Sequence, residues 1–203
     1  MSDDRAAYWD QRYRERGFLW GTEPNRFLVE VASDLLPGRA LDLACGQGRN
    51  SVWLAQRGHT VTGLDLSPVA IGHAEELARQ AGVVIEFHAV DLTTWQPEGR
   101  TWDLVVLSYL QVVAEDRRLI HERAEAAVAA GGTLIVIAHH LDNLTAGVGG
   151  PQSPEVLYTC DDLIGDFPGL SIERCERVLR PVESEEISGE AIDVLLVASR
   201  AAR

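Results

Sequence analysis

The stretch Arg39-Ala-Leu-Asp-Leu-Ala-Cys-Gly-Gln-Gly-Arg-Asn50 decides the fold of this 203-residue chain. It begins as a short apolar run, interrupted by Asp42, that is typical of a central strand covered by helices on both faces of a sheet. Gly46 and Gly48 follow where such a strand turns into a helix, and the missing Cβ atoms allow a sharp turn and a ligand close to the backbone. We therefore expect a ligand site at the carboxyl end of this strand.

Three classes of ligand compete for a glycine turn of this kind. A dinucleotide site has the pattern G-x-G-x-x-G, and Ser51 stands at the third glycine position, which disfavours a nicotinamide or flavin. A Walker phosphate loop needs a lysine, but all 18 Lys and Arg residues of the chain are arginines. Asp42 remains, and an acid beside the turn favours a ligand with a cationic end.

The spacing Asp42-x-x-x-Gly46-x-Gly48 resembles the first motif of class I S-adenosylmethionine (SAM) dependent methyltransferases. The run from Cys45 to Ser51 is similar to that of the tellurite-resistance (TehB-like) group, and the segment from Tyr8 to Asn25 resembles the leader of TehB-like and thiopurine small-molecule methyltransferases. The resemblance covers nearly the whole chain. It implies SAM as the cofactor, S-adenosyl-L-homocysteine as the product, and an N-terminal segment that folds over the cofactor as a lid.

Two more acids follow the next predicted strands. The run 59–66 contains Asp65, which lies 23 residues after Asp42. This is close to the distance at which nucleotide-binding α/β folds place a carboxylate for the ribose hydroxyls. A third strand-like stretch, 84–88, leads to Asp91. In the family the acid at this place accepts a hydrogen bond from the adenine amino group, and the apolar residue after it, here Leu92, packs on the ring.

The resemblance assigns the cofactor to the strand ends and to the N-terminal segment. Arg49 is expected to contact the SAM carboxylate or the acceptor, and the alternative is an exposed arginine at a helix start. The residues expected to bind SAM are Trp20, Arg26, Asp42, Ala44, Gly46, Gly48, Arg49, Asn50, Asp65, Leu66, Asp91, Leu92 and Ser108.

The acceptor is expected at the ends of the fourth and fifth strands. The run 102–109 is a predicted buried strand ending at Ser108 and Tyr109, which the resemblance places nearest to the transferred methyl group. His139 and His140 follow the fifth strand and could supply a general base, a metal ligand or a solvated cap. Because neighbours in sequence point in different directions, no metal site is predicted. His139 is the better candidate for a catalytic base.

The chemistry of methyl transfer favours one class of acceptor. The protein mainly has to hold the acceptor and the sulfonium in line in a dry site. A thiolate, selenite or tellurite needs little proton removal, whereas an alcohol or phenol needs a base. Because the sequence shows no obvious acid–base pair, we expect a soft or already ionised small-molecule acceptor. One alternative is a non-catalytic regulatory SAM-binding module. A second is a nicotinamide oxidoreductase, which Ser51 and the lack of lysine disfavour.

The pattern of strands and helices predicts a single α/β domain over residues 1–203. We expect a Rossmann-like, seven-stranded and mostly parallel sheet with helices on both faces. Residues 170–181 and 191–199 are predicted to form a C-terminal antiparallel hairpin. Lid helices are expected in residues 1–36, and the SAM-binding core in residues 37–203.

Two helix boundaries and one loop are further expectations. Pro24 suits the first turn of a helix that runs to about Leu36. An alanine-rich helix is predicted at 116–130, ended by two glycines. The loop 145–154 is rich in glycine and proline and long for a compact domain, which is typical of a lid or binding loop.

The composition disfavours several classes of partner. The formal net charge of −13 repels a nucleic-acid backbone. No apolar run approaches the roughly 20 residues that cross a bilayer, and the first residues lack a signal-peptide pattern, so we expect a cytoplasmic protein without a membrane partner. The three cysteines, at unrelated spacings, are expected to be free thiols. The partner is then a small-molecule acceptor, and the protein a monomer or homodimer.

Overall fold

A computed structural model describes residues 2–183 and 187–202, and these fold around one mixed sheet. The strands are β1 (Arg39–Leu43), β2 (Thr60–Asp65), β3 (Glu86–Ala89), β4 (Trp102–Ser108), β5 (Val128–His139), β6 (Ser171–Glu183) and β7 (Ser188–Ser199). The order across the sheet is β3-β2-β1-β4-β5-β7-β6, with β1 to β5 parallel and β7 antiparallel to both of its neighbours. The predicted seven-stranded fold is confirmed.

The helices of the described residues cover both faces and one edge of this sheet. They are α1 (Ser2–Arg16), α2 (Arg26–Ala32), α3 (Arg49–Gln56), α4 (Pro68–Ala81), α5 (Ala114–Ala127), α6 (Asn143–Ala146) and α7 (Cys160–Asp166), with a 3₁₀ turn at Pro154–Val156. None of the helices in this part of the chain has the length and apolarity of a membrane span.

Alternate residues of the central strands pack into two clusters on opposite faces of the sheet. On one face, Val105 and Leu107 of β4 pack with residues of α5 and α7. On the other face, Leu104 and Val106 pack with residues of α2 and α3. Because successive side chains of a strand point to opposite faces, a strand covered on both sides is apolar throughout, as the sequence predicts.

The second helix is shorter than predicted. Asn25 caps it, since its Oδ1 accepts hydrogen bonds from the N–H groups of Phe27 (2.8 Å) and Leu28 (3.3 Å). The helix therefore starts after Asn25 rather than at Pro24, and it ends at Ala32, so both predicted boundaries are wrong. Phe27 and Leu28 are buried in a core cluster, which makes α2 part of the core packing rather than of a lid.

The helix predicted at 116–130 gives way early to a strand. It ends at Ala127, and the β-branched Val128 already has extended backbone and begins β5. Gly131 has a φ of 75° and lies where the ladder between β4 and β5 loses its register. The glycine pair therefore forms an irregularity inside β5 and does not end the helix.

The first helix lies across the carboxyl ends of the strands. Oδ1 of Asp10 accepts a hydrogen bond from the Ser67 hydroxyl and lies 3.4 Å from the N–H nitrogen of Val69, at the start of α4. Tyr13 is buried, and its hydroxyl oxygen would lie 3.1 Å from a Cβ atom built on Gly46. The helix thus lies over the glycine turn and the start of α4, and its role as a lid stays a prediction.

The hairpin β6–β7 is the predicted C-terminal hairpin, with strands longer than expected at their inner ends. Part of its predicted turn, residues 184–186, lies outside the described residues. Because β7 lies between β5 and β6, its side chains come next to the carboxyl end of β5.

Candidate active site

The turn between β1 and α3 has a backbone that favours glycine. Gly46 and Gly48 have φ angles of 54° and 82°. A Cβ atom on Gly48 would lie 2.7 Å from the Cβ of Ala74, so the turn packs directly on α4. Ala44 also has a positive φ, 57°, which few residues other than glycine adopt. The first N–H groups of α3 follow this turn and lack partners inside the helix.

Asp42 is fully buried at the end of β1, and only one of its two carboxylate oxygens has a hydrogen-bond partner among the described residues. Its Oδ2 accepts a hydrogen bond from the Ser51 hydroxyl at 2.6 Å, while Oδ1 has no partner among the described residues. Burial raises the pKa of Asp42 to about 7 against the effect of Ser51, and the nearby Asp65 adds to the rise. A buried carboxylate oxygen without a partner fits a ligand that brings a positive charge.

Asp65 ends β2 and fixes the turn relative to α4. Its Oδ2 accepts a hydrogen bond from the N–H of Gly46 at 2.8 Å, and its Oδ1 accepts one from the N–H of Ser67 at 2.9 Å. Burial raises the pKa of Asp65 in spite of these hydrogen bonds. The carboxylate therefore holds the glycine turn and the start of α4 in place.

Asp91 follows β3 and contacts the first helix. Its Oδ1 accepts hydrogen bonds from the N–H (2.8 Å) and hydroxyl (2.7 Å) of Thr93. Arg5 of α1 lies 3.5 Å from its Oδ2 and also donates to Asp116 at 2.5 Å. Leu92, beside it, is buried in the core. The three predicted acids thus stand at the carboxyl ends of three adjacent parallel strands.

Gln47, at the tip of the turn, holds the segment that follows α1. Its Oε1 accepts a hydrogen bond from the N–H of Leu19 at 2.9 Å, and its Nε2 donates to the carbonyl of Gly17 at 2.6 Å. Arg49 donates to the carbonyl of Trp20 at 3.0 Å. The partners of Gln47 and Arg49 in these hydrogen bonds are backbone groups, which every residue type carries. The sequence therefore did not predict the role of Gln47.

Two residues predicted to bind the cofactor lie toward the outside. Trp20 is 51% exposed and packs on Trp9 and Tyr13, with ring centroids 6.2 and 6.0 Å away. Arg26 is exposed, and its guanidinium lies 5.5 Å from the centre of the Phe27 ring. Arg26 also borders a cavity of about 630 Å³ between the N-terminal segment and α2, α3 and α4, and none of the three acids lines this cavity.

Tyr109 and His139 meet at the ends of β4 and β5, with their ring centroids 4.8 Å apart. Tyr109 has a φ of 56°, a strained backbone conformation that is concentrated at functional sites. The Oγ of Ser108 is buried without a partner among the described residues. Asn50 accepts a hydrogen bond from the N–H of Asn25 at 2.9 Å, and Asn25 donates to the Tyr109 hydroxyl at 3.2 Å.

Asp193 and Arg180 of the hairpin complete this cluster, and the sequence predicts neither. Asp193 is fully buried and directly opposite His139 in the β5–β7 ladder. Its Oδ2 accepts hydrogen bonds from the Tyr109 hydroxyl and from Nε of Arg180, both at 2.7 Å. Its Oδ1 lies 3.0 Å from Nδ1 of His139, at an angle too bent for a regular hydrogen bond. Burial opposes the charge, but His139 and Arg180 hold the pKa of Asp193 below its ordinary value.

A known protein family matches the part of the chain that contains the three acids. A family model described as a methyltransferase domain matches residues 40–132, which run from β1 into β5 and include all three acids. Residues 40–132 of the chain are therefore similar to a methyltransferase domain. The resemblance to methyltransferases that the glycine turn predicts is thereby confirmed over these residues.

Relatives of this chain act on different small molecules. The chain is 28% identical over 138 residues to 2-heptyl-1-hydroxyquinolin-4(1H)-one methyltransferase of Mycobacteroides abscessus, which covers 62% of this chain and 61% of that protein. It is 27% identical over 197 residues to "Probable thiol methyltransferase 2" of Arabidopsis thaliana, which covers 93% of this chain and 78% of that protein. The chain spans between 46% and 61% of the length of three curated relatives that it matches.

A solved structure shares the fold of this chain beyond the family match. TehB from Haemophilus influenzae superposes with a TM-score of 0.72 at 19% sequence identity, over 97% of this chain and 67% of that one. The superposition supports the whole arrangement of sheet, N-terminal helix and C-terminal hairpin. The predicted likeness to the TehB-like group is confirmed for the fold.

Proposed function

We propose that this protein is a SAM-dependent methyltransferase that acts on a small-molecule acceptor. The observation that carries the proposal is the edge of the sheet where Asp42, Asp65 and Asp91 stand at the ends of adjacent strands, beside a turn that packs too tightly to admit a Cβ atom. The methyltransferase-domain match over residues 40–132 covers the same edge.

The buried polar groups at this edge fit the parts of SAM. The unpartnered Oδ1 of Asp42 suits a cationic group, and the start of α3 suits the methionine carboxylate. Asp65, at the end of β2, suits the ribose hydroxyls, and Asp91 suits the adenine amino group. When bound, SAM supplies a methyl group that its sulfonium has already activated.

The work left to the protein is to position the acceptor and to exclude water. Helix α1 covers the strand ends through Asp10 and Tyr13, while Tyr109 and His139 lie at the next two strand ends. Positioning of this kind can lower the activation free energy by roughly 7 to 11 kcal/mol. A thiol is the acceptor class that we propose, because the thiol methyltransferase relative matches nearly the whole chain.

Labelled SAM tests this proposal directly. The protein is incubated with methyl-labelled SAM and, separately, with an aliphatic thiol, an aromatic thiol, selenite, tellurite and a phenol. We expect label in the thiol products and none in samples without protein. Binding of SAM without transfer to any acceptor would favour a non-catalytic SAM-binding module, and the absence of binding by calorimetry would overturn the proposal.

SAM binding should release a proton from Asp42. In the ligand-free protein the pKa of Asp42 is about 7, so the carboxyl is protonated below that pH. A cationic ligand favours the ionised form, and the affinity should therefore fall about tenfold for each pH unit below 7 and level off above it. Titration calorimetry at several pH values, in two buffers of different ionisation enthalpy, measures both the affinity and the released proton.

The Asp42→Asn variant is the control for this pH dependence. It cannot release the proton, so its weakened affinity should no longer change with pH. A wild-type affinity that stays constant from about pH 5.5 to about 8 would show that Asp42 does not face the charged part of the ligand.

A further inference from the structure

A histidine and a buried aspartate lie side by side where two strands that are far apart in sequence meet. Asp193 and His139 face each other across the β5–β7 ladder with 3.0 Å between Oδ1 and Nδ1, and their side chains are 0% and 10% exposed. We propose that His139 is the general base of the reaction, that Asp193 positions it, and that the acceptor carries a proton on the atom that receives the methyl group. The inference rests on the proposed function and narrows its acceptor class.

The hydrogen bonds of Asp193 leave one of its oxygens for His139. Tyr109 and Arg180 both donate to Oδ2, which fixes the plane of the carboxylate. Oδ1 faces His139 and has no other partner among the described residues. A carboxylate at Nδ1 favours the tautomer with the proton on that nitrogen, so Nε2 keeps the lone pair that can accept a proton. The same carboxylate stabilises the imidazolium once the proton has been taken.

Packing holds the ring of His139 in a defined position. The Tyr109 ring lies against it, and a Cβ atom on Gly150 would lie 3.1 Å from its Cε1. The loop that carries Gly150 is held by Asn143, which donates to the carbonyl of Gly149 at 2.8 Å. The glycine-rich loop thus packs against the proposed base, and its role as a lid or binding loop stays a prediction.

The next residue, His140, has a different environment. Its Nδ1 accepts a hydrogen bond from the N–H of Asp142 at 3.0 Å within a local turn. The Asp142 carboxylate is 3.6 Å away and about half exposed. Because only His139 of the two has a fully buried carboxylate beside it, His140 provides a matched control.

In the proposed step, the acceptor loses a proton and gains the methyl group. The proton of an S–H or O–H group passes to Nε2 of His139, and the electron pair left on that acceptor atom forms the bond to the methyl carbon. The carbon–sulfur bond to the sulfonium of SAM breaks, and its electron pair stays on sulfur, which leaves a neutral thioether. His139 then returns the proton to water. Selenite and tellurite already offer a lone pair, so this pair of residues points to a protic thiol or hydroxyl acceptor instead.

Two thiols of different acidity show whether His139 acts as a general base or has only a structural role. An aliphatic thiol remains protonated at the assay pH, whereas an aromatic thiol is already ionised. His139→Gln should lower kcat for the aliphatic thiol by about 100-fold or more, the usual size of general-base catalysis, and for the aromatic thiolate by less than about fivefold. Asp193→Asn should show the same selective loss to a smaller extent. His140→Gln should leave both rates unchanged.

Each other outcome of this experiment has a defined meaning. Equal losses for both thiols would show that the pair only holds the hairpin in place, and the inference would fail. The inference also fails if neither the two thiols nor the phenol is methylated although SAM binds by calorimetry. If the wild-type protein does not bind SAM, the proposed function itself has failed.

The tautomer of His139 gives a second test that needs neither cofactor nor acceptor. Long-range ¹⁵N–¹H correlation spectra of the ligand-free protein, at a pH where the imidazole is neutral, show which ring nitrogen carries the proton. We expect Nδ1 in the wild type and a mixture in Asp193→Asn, with His140 unaffected. A wild-type ring protonated on Nε2 would overturn the inference, even if the variant does not fold.

Discussion

Replacing Asp65 by alanine should weaken SAM binding by about 100-fold or more. The variant would lose the hydrogen bonds that we propose between this carboxylate and the ribose, and each hydrogen bond to a charged group contributes about 1.5–3 kcal/mol. The variant also removes the acceptor for the N–H of Gly46, so the glycine turn loses its link to β2. Titration calorimetry with SAM and with S-adenosylhomocysteine measures the loss.

Asp103→Ala is a matched control for this experiment. Asp103 is also an acid of a central strand that accepts a hydrogen bond from a backbone N–H, that of Arg39 at 2.7 Å, but it lies at the opposite edge of the sheet. The replacement of Asp103 should change the affinity for SAM by no more than about twofold. A residue far from the proposed SAM site has little effect on its binding energy. Thermal unfolding of both ligand-free variants separates lost binding from lost folding. Similar affinities in the two variants would remove Asp65 from the ribose site.

Replacing Gly48 by alanine should lower the free energy of unfolding by about 2–4 kcal/mol. The new Cβ atom would lie 2.7 Å from the Cβ and 3.1 Å from the Cα of Ala74, so α3 and α4 must move apart. The φ of 82° adds the cost of a left-handed conformation for a residue with a side chain. Urea unfolding measures the stability, and calorimetry at a temperature where the variant is folded should show weakened SAM binding.

The same substitution in α4 should have the opposite sign. Gly72 lies inside that helix, has ordinary helical backbone, and a Cβ atom there would meet nothing within 4 Å. Gly72→Ala should therefore raise the stability by about 1 kcal/mol through helix propensity alone. If both variants changed the stability in the same direction, the close packing of the glycine turn would not be the cause.

Local chemistry explains why the sequence predicts the cofactor side of the site. The acids and glycines stand directly after strands, and parallel strands bring their carboxyl ends to one edge whatever the detailed register. The positions of Asp65 and Gly48 at the strand ends could thus be predicted from the sequence, and their roles in SAM binding stay predictions. The predicted helix boundaries failed where two start signals compete, as at Pro24 and Asn25, or where a β-branched residue such as Val128 interrupts a helical pattern.

The acid–base pair could not be predicted in the same way. His139 and Asp193 become neighbours only through the register of an antiparallel pair, and a shift by one residue would point Asp193 to the other face. The sequence holds one signal for it, a single acid within the apolar run 191–198. The sequence therefore did not predict this pairing, and the expectation of a soft or already ionised acceptor stays a prediction.

The contacts of the N-terminal helix have a consequence for the rate of the reaction. Arg5 forms ion pairs with Asp91 and Asp116, and Asp10 accepts a hydrogen bond from Ser67 at the start of α4. These contacts hold the helix on both sides of the edge where we propose that SAM binds. In the proposed reaction, these contacts of α1 open once in every catalytic cycle so that SAM can replace S-adenosylhomocysteine. The departure of S-adenosylhomocysteine, rather than the making of the new bond, would then set the pace of turnover.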